Sequence, residues 1–172
     1  CGPRAPYPNN FIDHPAINHR IRFWMMQKHH TTGSLYWATT YWNNKNPWVD
    51  PMSYTPDMGG TWGNGDGYLL YPPVKEKPAE LVQKGPVDSI RWEMIREGLE
   101  DREYFWLLTQ ELGRVKNLNR RDTAKIISRG EKLLALPDKF VTSLTEFEIN
   151  PQELYSAREQ IAEVIELLHR VR

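Results

Sequence analysis

Residues 89–112, SIRWEMIREGLEDREYFWLLTQEL, contain the clearest secondary-structure signal in the chain. Good helix formers follow a capping residue, Ser89, and apolar side chains recur at helical spacing. Within this stretch, the charged run at residues 96–103 is typical of a solvated helix face whose charges pair with one another. The pattern predicts a long helix with an apolar stripe formed by Ile90, Met94, Ile95, Leu99, Trp106, Leu107 and Leu108.

Upstream of this helix the sequence predicts another helix and then a strand. Asp13 can cap free N–H groups and Pro15 suits a first turn, so the helix should start here and end before Gly33. Residues 34–42, SLYWATTYW, are rich in β-branched and aromatic side chains, which predicts a strand covered on both faces. The apolar positions of the helix are Ile17, Ile21, Trp24 and Met25.

Two further helices are predicted in the C-terminal third. One covers residues 120–134 and is ended by Pro137. The sequence NPQE at residues 150–153 then supplies a cap, a first-turn proline and a capping-box carboxylate in order. The last helix should run nearly to the end of the sequence, with inward positions Leu154, Ile161, Ile165 and Leu168.

The order of these elements favours an α/β fold. Between strand and long helix lies a Pro/Gly/Asn-rich loop, residues 43–88, with one short extended piece at 68–71. A helix, a strand covered on both faces, a long loop and another helix follow one another in a (β/α)8 TIM-type barrel. A full barrel, however, needs about 250 residues. We therefore predict the C-terminal portion of such a barrel over residues 1–115, followed by a helical extension over residues 116–172.

Composition excludes several function classes. Lys+Arg and Asp+Glu balance at 22 each among 172 residues, so no net charge favours nucleic acid or an anionic membrane as a partner. No apolar run approaches the roughly 20 residues of a membrane span, and we expect a soluble protein. Cys1 is the single cysteine and is expected to be an ordinary buried thiol. The histidines lack metal-ligand spacing, so no metal or cofactor is predicted.

The glycine-rich stretch GTWGNGDGYLLYPP, residues 60–73, has three possible interpretations. A phosphate-binding loop would have to follow a strand and open a helix, whereas these glycines precede an extended segment. The stretch could instead be a tight turn in which Asp66 bonds nearby backbone N–H groups. It could also be one wall of a sugar site.

Aromatic residues near this stretch favour the sugar interpretation. Sugars present apolar C–H faces as well as hydroxyls, so their sites combine aromatic platforms with a few polar side chains. The alternative is that the tryptophans only pack the long loop. The candidate substrate-binding residues are Trp37, Tyr41, Trp42, Asn44, Trp62 and Asp66.

The segments GSLYWATTYWN, NPW, GNGDGYLLYPP and GPVDSIRWEMIREGLEDREYFWLL occur in this order, and together they resemble the C-terminal part of glycoside hydrolase family 123 proteins. The closing segment LTEFEINPQELYSAREQIAEVIELL is similar too. The resemblance implies an N-acetyl-β-galactosaminidase that works by substrate-assisted retention, with an adjacent Asp-Glu pair as its catalytic groups. No Asp-Glu dipeptide occurs in these 172 residues, so the pair would lie upstream and this chain alone is expected to be inactive.

The resemblance also implies positions in the barrel. Residues 15–30 would be the seventh helix, residues 34–42 the eighth strand and residues 89–113 the eighth helix, with the glycine-rich stretch in the loop after strand eight. Trp37 would lie beneath the sugar and its acetamide, and strand alternation would send Thr39 and Tyr41 inward with it. Expected partners are a glycan and the remainder of the parent chain, and a secreted or periplasmic location is suspected.

Three functional hypotheses stay open at this point. The chain could be the binding-residue segment of a glycoside hydrolase, a non-catalytic carbohydrate-binding or scaffold module, or a purely structural segment. An Asp-Glu pair elsewhere in the reading frame would favour the enzyme over the binder. Full burial of Trp37, Trp42 and Trp62 would favour the structural role.

Overall fold

The computed structural model describes residues 2–42, 45–74 and 84–171. Two short 3-10 turns, Pro56–Met58 and Arg121–Thr123, accompany the regular elements. The helices are α1 (Ile17–Lys28), α2 (Ile90–Asn117), α3 (Ala124–Leu134) and α4 (Pro151–His169). The strands are β1 (Met52–Tyr54), β2 (Trp62–Asn64), β3 (Leu70–Tyr71) and β4 (Val87–Asp88).

Helix α2 forms as predicted, but its buried face differs from the predicted stripe. Ser89 caps it by accepting a hydrogen bond from the backbone N–H of Trp92. Gly98 lies on the buried face, where α2 packs so closely on α1 that any Cβ would clash with the ring of Phe23. The buried positions are Arg91, Gly98, Asp101, Phe105, Leu108, Leu112 and Val115, whereas Ile90, Leu99, Trp106 and Leu107 are exposed.

Asp101 overturns the prediction that residues 96–103 form a solvated face throughout. Its carboxylate is 1% exposed and accepts two hydrogen bonds from Arg20, at 2.6 and 2.8 Å. Trp24 donates its indole N–H at 2.7 Å, and Arg158 of α4 approaches to 3.4 Å. A carboxylate can be buried only where such partners replace water. Asp101 therefore joins α1, α2 and α4 through one charged group.

One hydrophobic core connects all four helices. The predicted inward residues of α1 are all buried, and in α4 Leu154, Ile161 and Leu168 are buried while Ile165 is only partly so. This core takes residues from both sides of position 115, and the division of the chain there stays a prediction. Its members include Ile17, Ile21, Trp24, Phe105, Leu108, Leu112, Phe140, Leu154, Ile161 and Leu168.

Of the predicted caps of α4, the Asn150 cap is confirmed and the capping-box residue is wrong. Asn150 caps α4, accepting a hydrogen bond from the N–H of Gln152 at 3.1 Å. The capping-box role, however, is filled by Glu148, which accepts from the N–H of Asn150 at 2.8 Å, while Glu153 pairs with Lys139.

The N-terminus of α1 has no side-chain cap. The helix begins at Ile17 behind Ala16, so the prediction that Asp13 caps it is wrong. Asp13 lies too early in the chain and instead accepts a hydrogen bond from the side-chain amide of Asn64 at 3.0 Å.

The strands pair as two small antiparallel ribbons. Strand β1 pairs with β2 in the register Met52↔Asn64, and β3 pairs with β4 in the register Leu70↔Asp88. The predicted extended piece at residues 68–71 is thus partly confirmed by β3. The loop assigned to residues 43–88 contains more strand than expected.

The predicted strand at residues 34–42 is wrong. The segment forms an isolated bridge, Thr40↔Tyr68, and the described backbone hydrogen bonds of Thr39 and Tyr41 run to Gly67, Leu69 and Leu70, on one side of the segment. A two-sided strand needs a hydrogen-bonding neighbour on each edge and cover on each face. Neither condition holds here, as Leu35 is 88% exposed.

The architecture is a mixed one of helices and short strands, which confirms the coarse α/β assignment. Among the described residues, none of the helices is long and apolar enough to cross a bilayer.

Candidate functional site

The glycine-rich stretch forms a tight turn directly after β2. Gly65 and Gly67 adopt positive φ angles of 72° and 78°, which only glycine adopts without strain. A Cβ at Gly67 would lie 2.9 Å from Cζ2 of Trp37, and one at Gly65 would lie 2.6 Å from Nη1 of Arg91. The glycines therefore serve two purposes, since they allow the turn and let these two side chains approach its backbone.

Asp66, at the centre of this turn, gathers three aromatic side chains. Its Oδ1 accepts hydrogen bonds from the hydroxyl of Tyr36 at 2.7 Å and from the indole N–H of Trp37 at 3.1 Å. Its Oδ2 accepts from the hydroxyl of Tyr54 at 2.5 Å. Asp66 is fully buried, so direct contact with a sugar would require the turn to move.

The protonation states of this cluster follow from its hydrogen bonds. Burial by itself raises the pKa of Asp66, but the hydrogen bonds that it accepts, those from Tyr54, Tyr36 and Trp37 among them, outweigh burial and lower that pKa. Burial, followed by the nearby carboxylate, raises the pKa of the Tyr54 hydroxyl. Burial likewise raises the pKa of Tyr36. Asp66 is thus an ionised acceptor and both phenols keep the protons that they donate.

Arg91 fastens the turn to the first turn of α2. Its Nη1 donates to the carbonyl oxygens of Asn10 at 2.7 Å and Gly65 at 2.6 Å, and its Nη2 donates to the carbonyl of Tyr68. Burial lowers the pKa of this guanidinium. The sequence did not identify Arg91 as a site residue, although it lies in the SIRWEM segment. The signal that could have identified it is a basic residue in the first turn of a helix, where the helix dipole disfavours positive charge.

Aromatic side chains surround the buried carboxylate in two groups. Trp37 meets Tyr41 edge-on, with ring centroids 4.7 Å apart, and Trp37 is 40% exposed. On the other side of Asp66, Tyr54 stacks on Trp62 at 4.3 Å with an interplanar angle of 25°. The guanidinium of Arg4 lies 4.4 Å from the Trp62 ring centroid. Asp66 therefore connects one exposed aromatic pair with one stacked pair.

The model of the glycoside hydrolase 123 catalytic domain matches residues 1–108 of this chain. The chain belongs to glycoside hydrolase family 123. A comparison with curated proteins finds no match. Membership confirms the resemblance drawn from the motifs and makes the function glycoside hydrolase-like, with a glycan as the class of substrate. The match extends from the N-terminal loop into α2 and includes the whole Asp66 cluster.

Four of the six predicted site residues lie together in this family 123 chain. Contacts connect Trp37, Tyr41 and Trp62 to one another through Asp66 and Tyr54. Their role in binding a sugar stays a prediction. Asn44 lies outside the described residues.

The remaining tryptophans of the loop are tied to backbone carbonyls. Trp42 donates its indole N–H to the carbonyl of Leu70 at 3.0 Å, and Trp48 donates to that of Pro72 at 2.9 Å. Both are partly buried. These bonds anchor the loop on β3, in agreement with the alternative that some of the tryptophans pack the loop.

The side chains around Trp37 do not follow strand alternation. Tyr36 and Trp37 are consecutive, yet both donate to the same oxygen of Asp66, which a regular strand would not allow. Tyr41 packs on Trp37, whereas Thr39 lines a separate cleft of about 260 Å³ beside Tyr36. The irregular backbone, not a period of two, brings the cluster together.

A second cleft, of about 410 Å³, opens beside Trp62. It is lined by Arg4, Phe11, His14, Met52, Trp62 and Asn64 among others. Within residues 2–42, 45–74 and 84–171, no three His, Cys, Asp or Glu side chains are grouped so that they could hold a metal ion. The described side chains around Asp66 offer aromatic faces, hydroxyls, two guanidinium groups and one buried carboxylate.

Proposed function

We propose that this chain is the C-terminal portion of a (β/α)8 glycoside hydrolase and supplies the aromatic wall of its sugar site. The substrate is an N-acetylated, galactosaminide-type glycan, cleaved by substrate-assisted retention. The catalytic Asp-Glu pair comes from outside these 172 residues, which contain no such dipeptide.

The observation that carries this proposal is the state of Trp37. Its ring is 40% exposed, yet its N–H is bonded to buried Asp66 and its edge is covered by Tyr41. An indole whose role was to fill a core would be buried on both faces. An indole that was simply exposed on the surface would have neither the hydrogen bond to Asp66 nor the contact with Tyr41. An exposed aromatic face held in a fixed orientation is the surface on which the C–H face of a sugar ring stacks.

In the proposed reaction the chain holds the sugar while other groups act on it. The acetamide oxygen of the substrate attacks the anomeric carbon, and the glycosidic bond breaks as the Glu of the pair protonates the leaving oxygen. Water then opens the cyclic intermediate and restores the acetamide with retention. The Trp37 face supports the sugar ring and acetamide through these steps, so part of its contribution arises only in the distorted, reactive geometry.

The binding part of the proposal is tested by titrating this chain with N-acetylgalactosamine and following tryptophan fluorescence or amide NMR shifts. Trp37→Ala should weaken binding about tenfold or more, as expected for the loss of one stacking platform. Trp106→Ala is the matched control, because Trp106 is 56% exposed on α2 and lies outside the predicted site. Equal affinity of both variants and the original chain would show that Trp37 is not the platform.

The catalytic part requires a separate assay. This chain alone should not hydrolyse an aryl N-acetyl-β-galactosaminide, whereas the full-length protein with its Asp-Glu pair should do so and lose efficiency on Trp37→Ala. A non-catalytic carbohydrate-binding or scaffold module is the second candidate, favoured by the lack of an Asp-Glu dipeptide in the chain. Binding without hydrolysis by the full-length protein would support that module over the enzyme.

A further inference from the structure

Asp66 is placed to control the surface of the site without being part of that surface. It is fully buried, and the aromatic donors to its carboxylate among the described residues come from positions 12, 29 and 30 residues earlier in the chain. Among them only Trp37 also presents an exposed ring face. A change at Asp66 therefore reaches solvent mainly through Trp37.

Three constraints hold the Trp37 ring. Its N–H is directed at Oδ1 of Asp66, Tyr41 packs against it at 4.7 Å, and Gly67 leaves room for its six-membered ring, which a Cβ would meet at 2.9 Å. Packing against Tyr41 and Gly67 limits the space, but the directional hydrogen bond selects which edge of the indole points inward. A hydrogen bond to an ionised acceptor is also about twice as strong as a neutral one.

We infer that Asp66 is a positioning residue that orients the indole of Trp37 as a sugar platform and does not itself contact the sugar. The inference rests on the proposed function, since it assigns Asp66 its role within that site. Asp66, a candidate substrate-binding residue from the sequence, then affects the sugar indirectly, through the Trp37 ring.

The first readout does not depend on any sugar. Each of the seven tryptophans has one indole N–H, and the Trp37 signal in a ¹⁵N NMR spectrum is identified by its loss in Trp37→Phe. Asp66→Ala should shift that signal and speed its exchange with solvent. Because this variant leaves the donor groups of Tyr36, Trp37 and Tyr54 without their acceptor, Asp66→Asn, which keeps one acceptor oxygen, is the second variant.

The second readout is affinity for N-acetylgalactosamine. Asp66→Asn and Trp37→Phe should each weaken binding roughly fivefold to tenfold, the order expected when one hydrogen bond that orients the platform is lost or weakened. Trp37→Phe keeps an aromatic ring but has no N–H for Asp66. The double variant should therefore bind no more weakly than Trp37→Phe alone, since both substitutions act on the same hydrogen bond.

Asp101→Asn is the matched control for general loss of stability. Asp101 is another buried carboxylate that accepts an indole N–H, from Trp24 at 2.7 Å, but it lies in the helical core. This variant should shift the Trp24 signal and leave the Trp37 signal and the sugar affinity unchanged in the folded protein.

The outcomes separate the two proposals. If the original chain does not bind the sugar, the proposed function fails before any variant is made. If it binds and Asp66→Asn weakens binding while the Trp37 signal is unmoved, Asp66 contacts the sugar directly and the inference is wrong. If the Trp37 indole N–H signal shifts and exchanges faster but the affinity is unchanged, the orientation of the ring is irrelevant to binding and the inference is equally wrong.

Discussion

Nη1 of Arg91 donates a hydrogen bond of 2.6 Å to the carbonyl oxygen of Gly65. Arg91 belongs to the first turn of α2, which is packed into the helical core, and Gly65 belongs to the turn that presents Asp66. The same guanidinium bonds the carbonyls of Asn10 and Tyr68. One buried side chain thus joins two loop segments, the N-terminal loop and the glycine-rich stretch, to α2, and we expect the rigidity of the site to depend on it.

Arg91→Met should destabilise the protein by about 2–4 kcal/mol, because it keeps an apolar stem but leaves buried carbonyl oxygens without a donor. Urea denaturation followed by far-UV circular dichroism measures the change. Arg96→Met is the control, since Arg96 pairs with Glu93 on the surface with its side chain 60% exposed, and such pairs contribute at most about 1 kcal/mol. Similar losses for both variants would contradict the role given to Arg91.

Gly67→Ala should disturb the site more than Gly59→Ala. Both glycines have positive φ angles, 78° and 93°, so both substitutions cost backbone strain of about 1 kcal/mol. Only at Gly67 would the new Cβ also meet Trp37, at 2.9 Å, whereas at Gly59 it meets nothing within 4 Å. We expect a larger fall in melting temperature and a changed tryptophan fluorescence spectrum for Gly67→Ala alone. Identical spectra and melting temperatures for the two variants would exclude the close contact.

Asp101→Ala should cost about 3–5 kcal/mol, because it leaves the buried guanidinium of Arg20 without its carboxylate. Asp138→Ala is the control, since Asp138 pairs with Lys28 while its side chain is 84% exposed. The free energy of unfolding from chemical denaturation gives both values. A loss below 1 kcal/mol at Asp101 would mean that the core tolerates an unpaired arginine.

His19 should make stability depend on pH. It is 2% exposed, and burial lowers its pKa from 6.5 to about 4, although its Nδ1 lies 2.8 Å from the carbonyl oxygen of Asn9. Between these two pH values the unfolded chain binds a proton that the folded chain does not, so stability falls as pH decreases from about 6.5 towards 4. Above pH 6.5 this contribution is constant.

The contribution of His19 is isolated by comparing denaturation curves at several pH values. His19→Gln should flatten the dependence between pH 6.5 and 4, whereas His29→Gln, at an exposed position, should leave the original slope. If the slope persists in His19→Gln, other groups cause the acid sensitivity.

Local patterns were sufficient to predict the helices and several of their ends. Ser89 and Asn150 cap helices as their residue types and positions indicate, and Ile17, Ile21, Trp24 and Met25 are buried as their spacing predicts. These features depend on hydrogen bonds and side-chain periods within a few residues. The ordered motifs from residue 33 to residue 108 were also enough for the family, which the match confirmed.

Contacts between distant segments decided the rest. Residues 34–42 have the composition of a strand, but the predicted interior strand needs a hydrogen-bonded neighbour on each edge, and here the described partners lie on one side. Asp101 lies in a run of charges that resembles a solvated face, yet Arg20 and Trp24, about 80 residues away in sequence, make its burial possible.

In the candidate site, too, local sequence and long-range contacts determined different features. From the sequence alone, Trp37 and Asp66 were candidates because of their residue types, which indicate a sugar site without saying how its members are arranged. Only the tertiary structure brings Trp37 onto Asp66 across 29 positions, adds Tyr36, Tyr54 and Arg91, and buries the carboxylate. The physical reason is that a side chain's type limits which bonds it can form, whereas burial and partners depend on where the rest of the chain folds around it.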